Sequence, residues 1–194
     1  VSNKVSFGTF YPDDLNLNGD QANLLVLTKR LEWRGVSSEL VSVTGKSDLT
    51  KIDFLFIGHG SAAAWESLLK KDKALFSAAI AFMNSGKPLM AVSSGYLELL
   101  NALGEGNQQG EHRSEFIEID GVVGYLNSPT QVPMLVRRGA SILTMLHGPV
   151  FAKNPDLVDE LISSQGWADI DLRSEELDRV DALAAISRKT AFEH

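Results

Sequence analysis

The chain of 194 residues carries a formal charge of −7, is 44% hydrophobic and 22% charged, and contains no cysteine. That length and apolar content suit one folded domain over residues 1–194 and exclude a disordered chain, while the acidic balance leaves no excess of Lys and Arg to neutralise a nucleic-acid backbone. Disulfides, thiolate metal sites and a cysteine nucleophile are excluded outright.

In chain order, apolar runs of strand length alternate with helical periodicity. Lys4–Phe10, Ser38–Val43, Ile52–Ile57 and Pro88–Ser93 read as strands, with a further strand at about Ser141–Leu146. Between the first two, Leu24, Leu27 and Leu31 share one helical face, with Asn18 or Asp20 available as N-cap and Gly35 as stop. A looser helical region holds Leu68, Leu69, Leu75, Phe76, Ile80 and Met83, ending at Asn84-Ser85-Gly86 before Pro88. Tyr96–Leu103 reads as an apolar helix. From Phe116 to Asn127, short strands punctuated by Gly121 and Gly124 suggest an antiparallel excursion. Asn154–Ser164 and Ser174–Ser187 read as terminal helices, the first with Pro155 at its start. The expected architecture is α/β: a three-layer, open, mostly parallel sheet with helices on both faces and a small antiparallel excursion.

No apolar run approaches the roughly 20 residues that span a bilayer. Val1 to Phe10 alternates like a strand where a signal peptide would be continuously apolar, so the expected location is cytoplasmic. His59, His112, His147 and His194 include no i, i+4 pair, and no metal is expected. Gly45-Lys46-Ser47 resembles the end of a phosphate-binding loop, but Leu40 stands where its first glycine is required, so ATP binding on this chain has no support. No cofactor is expected.

Three constellations could carry chemistry. Val92-Ser93-Ser94-Gly95-Tyr96 runs from a strand into a helix; such an elbow lifts Ser93 to the sheet's C-terminal edge, although a serine there is more commonly just an N-cap. Gly58-His59-Gly60-Ser61 follows a strand and suits backbone N–H groups aimed at an anion or oxyanion, or simply a tight turn with an exposed histidine. Leu146-His147-Gly148-Pro149 ends the last strand, where His147 as a neutral imidazole could take a proton from Ser93; a lone histidine more often only satisfies a strand end.

These stretches resemble the CobB/CobQ-like class I glutamine amidotransferases, and among them the glutaminase subunit of lipid II isoglutaminyl synthase. Asp14 to Asn23 is similar to an opening L-N-L-x-x-D-x-x-N segment, and His147-Gly148-Pro149 with Lys153-Asn154-Pro155 to L-H-G-P-x-x-x-K-N-P. Val92–Tyr96 lies where the family has C-G-G-Y-Q, so Gly95 and Tyr96 match while Ser93 replaces the nucleophile and Leu97 the glutamine. The resemblance implies Ser93 and His147 at the nucleophile and base positions, and Asp20 at an acidic position that orients the base. It places Gly58, Gly60, Ser94 and Gly95 in the oxyanion or ligand loop, and Tyr96, Arg113 and Asn127 in the substrate pocket. It also implies glutamine or a related small ligand, and an ATP-dependent ligase (amide synthase) subunit as partner, in cell-wall or cofactor amidation.

Other departures accompany Ser93. Gly58-His59-Gly60-Ser61-Ala62 replaces a G-G-G-x-D-like loop, Asn127-Ser128-Pro129-Thr130 replaces N-H-G-G, and Phe116 stands at the glycine position after the matching arginine. The expectation is therefore a non-catalytic subunit or binding protein, with an active glutaminase or a Ser93–His147 hydrolase as alternatives. Partner contacts are expected on the terminal helices, where Leu157, Leu161 and Leu183–Ile186 read equally well as core.

Overall fold

A computed structural model describes residues 4–106 and 109–193. Five parallel strands build the main sheet: β1 (Val5–Phe10), β2 (Ser38–Val43), β3 (Phe54–Ile57), β4 (Leu89–Val92) and β8 (Ser141–Thr144). An antiparallel edge strand, β7 (Leu135–Arg138), completes the order β2-β1-β3-β4-β8-β7.

Each central strand is buried on both faces, and its side chains alternate between two cores. Leu55 and Ile57 of β3, with Leu89 and Ala91 of β4, pack on one side beneath α2 (Ala62–Lys71), α3 (Lys73–Asn84) and α4 (Ser94–Leu103). Phe54, Phe56, Met90 and Val92 face the other side, under α1 (Ala22–Glu32), α5 (Val150–Lys153) and α6 (Pro155–Ser164). Leu24, Leu27 and Leu31 form the buried stripe of α1, each worth about 1.5–3 kcal/mol on burial. The chain leaves α1 through Gly35 at φ 77°, a left-handed residue after which Val36 N–H bonds the Leu31 carbonyl.

The antiparallel excursion is longer than its sequence pattern suggests: β5 (Gln109–Ile119) and β6 (Val122–Thr130) form a ribbon closed by Asp120-Gly121, both at positive φ as a two-residue hairpin turn requires. The strand expected over Ser141–Leu146 is divided. Thr144 Oγ1 accepts from Leu146 N–H, and the chain passes from β8 into β9 (Leu146–His147), which pairs with β6. His147 thus belongs to the small sheet, and Ser93 stands beside the large one.

Two further readings are corrected. The region around Leu68–Met83 is two helices, because Asp72 leaves helical geometry and its carboxylate caps Leu75 N–H. Neither Asn18 nor Asp20 caps α1 through its side chain; the N-cap position is Gln21, and both side chains point into the site instead. The last helix, α7 (Glu175–Thr190), buries only Leu177 and Ala184. Leu157 and Leu161 are core, whereas Leu183 and Ile186 are 57% and 62% exposed. Arg30 of α1 ties α6 and α7 together: it is buried and bonds both oxygens of Asp159 at 2.9 and 2.6 Å and Asp181 at 2.6 Å, while Arg34 also reaches Asp159. Among the described residues no helix is long and apolar enough to cross a membrane.

Candidate functional site at the sheet edge

Ser93 sits between β4 and α4 with φ 50° and ψ −119°, a conformation that costs a non-glycine residue about 1–3 kcal/mol. Its N–H bonds the Thr144 carbonyl at 2.7 Å, so β8 holds the elbow, and its side chain makes no helix cap. The N-cap reading of Ser93 therefore gives way to a strained elbow whose hydroxyl faces His147.

Three chain segments converge on this elbow too closely for side chains. A Cβ on Gly58 would lie 2.1 Å from the Leu15 carbonyl oxygen, and one on Gly95 would lie 2.6 Å from the Gly58 oxygen. Both glycines are packing requirements at this crossing. Asp20 then fastens the segments: it is fully buried, its Oδ2 accepts His59 N–H at 3.0 Å and its Oδ1 accepts Gly148 N–H at 3.1 Å. Burial pushes its pKa up to about 6, against the opposing pull of those two bonds. Asn23 adds a second fastening, donating to the Gly148 carbonyl and accepting from Phe151 N–H. Asn154, also buried, spans Val123 and Val150 with three bonds.

His147 lies between several polar groups. Its Nε2 is 3.2 Å from Ser93 Oγ and 3.2 Å from the Asn127 carbonyl oxygen; its Nδ1 is 3.0 Å from Asn18 Nδ2. A carbonyl only accepts, so Nε2 carries the proton, and Nδ1 is left to accept from the Asn18 amide. The two contacts agree on one tautomer, and that tautomer leaves Nε2 without the lone pair a base would offer to Ser93. Burial lowers the pKa of His147, with the Asn127 carbonyl opposing, and so favours the neutral ring.

The groups that would stabilise an oxyanion are likewise committed. Ser94 N–H, the donor just after the elbow residue, points at His59 Nδ1 at 3.4 Å. Gly60 N–H donates to Ser94 Oγ at 2.9 Å, and that hydroxyl also receives Trp65 Nε1–H at 2.8 Å and donates to the Gly60 carbonyl. The half-buried His59 ring packs edge-on to His147 with centroids 5.2 Å apart, and its pKa is lowered by burial and then by His147.

The fold thus brings together Ser93, His147, Gly58, Gly60, Ser94 and Gly95, with Asp20 acting on backbone N–H groups and making no bond to the imidazole. Asn127 contributes only its carbonyl. Arg113 is exposed on β5, and its guanidinium pairs with Glu115 at 2.8 Å. Tyr96 is wholly buried, and burial is the main reason its phenol pKa is raised, with smaller opposing effects from Glu105 and Arg138. Sequence reasoning missed Asn18, Asn23, Trp65 and the His59 ring as members of the site. Asn18 and Asn23 lay within a motif already singled out, but nothing in the spacing of Trp65 marks it. No group of three or more His, Asp or Glu suited to a metal gathers among the described residues.

No protein-family model matches the chain, and no curated protein matches it in sequence. Solved structures do share its fold. A glutamine amidotransferase from Thermotoga maritima superposes with a TM-score of 0.50 over 95% of each chain at 14% identity. PurLQS from the same organism gives 0.51, covering 84% of this chain and 99% of its counterpart at 13% identity, and another glutamine amidotransferase gives 0.50, covering 82% and 98% at 18%. The three-layer arrangement with a mostly parallel sheet and a small antiparallel sheet is that of these class I amidotransferase-like structures.

Proposed function

We propose that the chain is a catalytically silent amidotransferase-like protein, acting as a binding protein or as the non-hydrolytic subunit of an assembly. One observation carries this reading: the polar groups around the elbow satisfy one another. Ser94 N–H and Gly60 N–H have internal acceptors, and His147 gives its Nε2–H to the Asn127 carbonyl, which leaves no lone pair there to take the Ser93 proton. A working site keeps such donors free for the charge that develops in the transition state, and its base unprotonated toward the nucleophile. Serine adds a further obstacle, since its hydroxyl ionises far less readily than a thiol. The resemblance to CobB/CobQ-like glutaminases supports glutamine or a related small ligand, an ATP-dependent amide ligase as partner, and a cytoplasmic setting.

The test is ammonia release from glutamine by the chain and its Ser93→Cys form, alone and with a candidate ligase, against a Ser93→Ala control of verified fold. The expected result is release at the control level in both, because a thiol leaves the occupied N–H groups and the tautomer unchanged. Turnover by Ser93→Cys clearly above the control would overturn the proposal and make serine the sole lesion. Labelling of Ser93 by a fluorophosphonate would overturn it in favour of a Ser–His hydrolase.

A further inference from the structure

Asn18 and Gly19 are the one Asn-Gly pair in the sequence, and both are exposed. They form the tip of a short turn pinned on either side: Leu17 N–H bonds the His59 carbonyl, and the Asn16 side chain accepts Gln21 N–H at 3.1 Å. Asn18 stands at φ 66° and Gly19 at φ 70°, and a Cβ added to Gly19 would meet nothing within 4 Å. The tip is open to water. An asparagine followed by glycine holds an electrophile and a nucleophile in one short stretch, the side-chain amide carbon and the next backbone nitrogen, and glycine has no side chain to hinder their closing into a five-membered ring. At ψ 12° the Gly19 nitrogen is turned away from the Asn18 amide carbon, so closure goes through a rotation of the intervening peptide, which an exposed turn containing glycine allows.

The same amide is the group that meets His147. Asn18 Nδ2 lies 3.0 Å from His147 Nδ1, while Nε2 lies 3.2 Å from the Asn127 carbonyl, so the neutral ring keeps its proton on Nε2 and accepts at Nδ1. A carboxylate at residue 18 has no N–H to offer, and its oxygen would face the Nδ1 lone pair. The ring resolves that conflict by taking a proton on Nδ1, after which it has two donors for two acceptors.

We propose that Asn18 is a deamidation site whose conversion to aspartate turns His147 from a neutral ring into a cation. The Gly19 nitrogen attacks Asn18 Cγ; the new C–N bond forms as the bond to Nδ2 breaks, and the Gly19 N–H proton leaves with Nδ2 as ammonia. Water then opens the cyclic imide to aspartate or its β-linked isomer, and nothing else is consumed. The other titratable groups around His147 are the His59 ring, edge-on at 5.2 Å, Tyr125 opposite it on β6, and Asp20, which holds the N–H of Gly148; none of them bonds Nδ1, and all are the same before and after the conversion. The inference does not depend on whether Ser93 is silent.

Incubation of the folded full chain in mildly alkaline buffer, beside the urea-unfolded chain, with peptide mapping by mass spectrometry, tests the first step. A gain of one mass unit at residue 18 is expected in the folded chain, more slowly than in the unfolded one because the turn must rotate. Nitrogen NMR of labelled histidine rings tests the second. In the fresh protein His147 Nδ1 should be unprotonated at neutral pH, whereas in Asn18→Asp the midpoint of His147 should rise by about one pH unit, since a carboxylate beside the ring favours its charged form. The proposal is overturned if residue 18 of the folded chain is unconverted when the unfolded chain has converted completely, or if His147 of Asn18→Asp titrates where it does in the parent. Neither readout involves chemistry at Ser93, so both outcomes are separate from the glutamine test.

Discussion

Replacing Asp20 by asparagine isolates the one buried carboxylate at the crossing of the three segments. Asp20 is fully buried and its folded pKa is about 6, against an ordinary value of 3.8. The folded state therefore keeps a proton over a window in which the unfolded chain has released it. For an acid raised in this way, the stability contribution is largest below the unfolded value and is lost as pH rises through the folded one. At 1.36 kcal/mol per pK unit, the full loss, from well below pH 3.8 to well above pH 6, is about 3 kcal/mol. The substituted asparagine would not titrate, and its amide oxygen can serve only one side of the crossing, leaving the N–H of His59 or of Gly148 facing an N–H. The difference in unfolding free energy, Asp20 protein minus Asp20→Asn, should therefore fall by about 2.4 kcal/mol from pH 4 to pH 7, the part of that loss inside the measured range. Urea titrations of both proteins across that range measure it, and taking the difference cancels every other titrating group. A flat difference would refute the reasoning, and one that rises with pH would show that the two backbone bonds outweigh desolvation.

Two further outcomes follow from the same structure. Arg30→Met should lower the unfolding free energy by about 3 kcal/mol, the low end for a broken buried pair because Arg34 and Arg173 still face Asp159 and Asp181; a loss under about 1 kcal/mol in urea would contradict a central role for Arg30. Ser93→Gly should stabilise by about 1 kcal/mol, because glycine adopts φ 50° and ψ −119° without strain; a lower thermal midpoint would show that the elbow is not strained.

Much of the architecture was legible because period and punctuation are local. The apolar β3 and β4 runs, the Leu24-Leu27-Leu31 stripe and the glycine at Gly121 each act within a few residues. The elbow and the Gly58 loop were legible as candidates for the same reason: a strand followed by small residues marks a turn at the sheet edge. The choices among partners were not legible. Asp20 read as an N-cap from its spacing and as a base-orienting acid from the resemblance; it is not the cap, and its carboxylate meets the backbone N–H groups of His59 and Gly148, which come to it from residues far along the chain. The same holds for the motif residues Asn23 and Asn154, whose side chains close backbone contacts between segments.

Residue type and local spacing were enough to establish the alternating α/β plan, the absence of any thiol, and serine at the head of α4. The folded arrangement was needed to show that Asn127 turns a carbonyl toward His147, that His59 and Ser94 take up the N–H groups beside the elbow, and that the Tyr96 hydroxyl is buried without a hydrogen-bond partner. A hydrogen-bonding group is directional and short-ranged, so its role is set by whichever distant group the fold delivers within about 3 Å, and no pattern along the chain encodes that delivery.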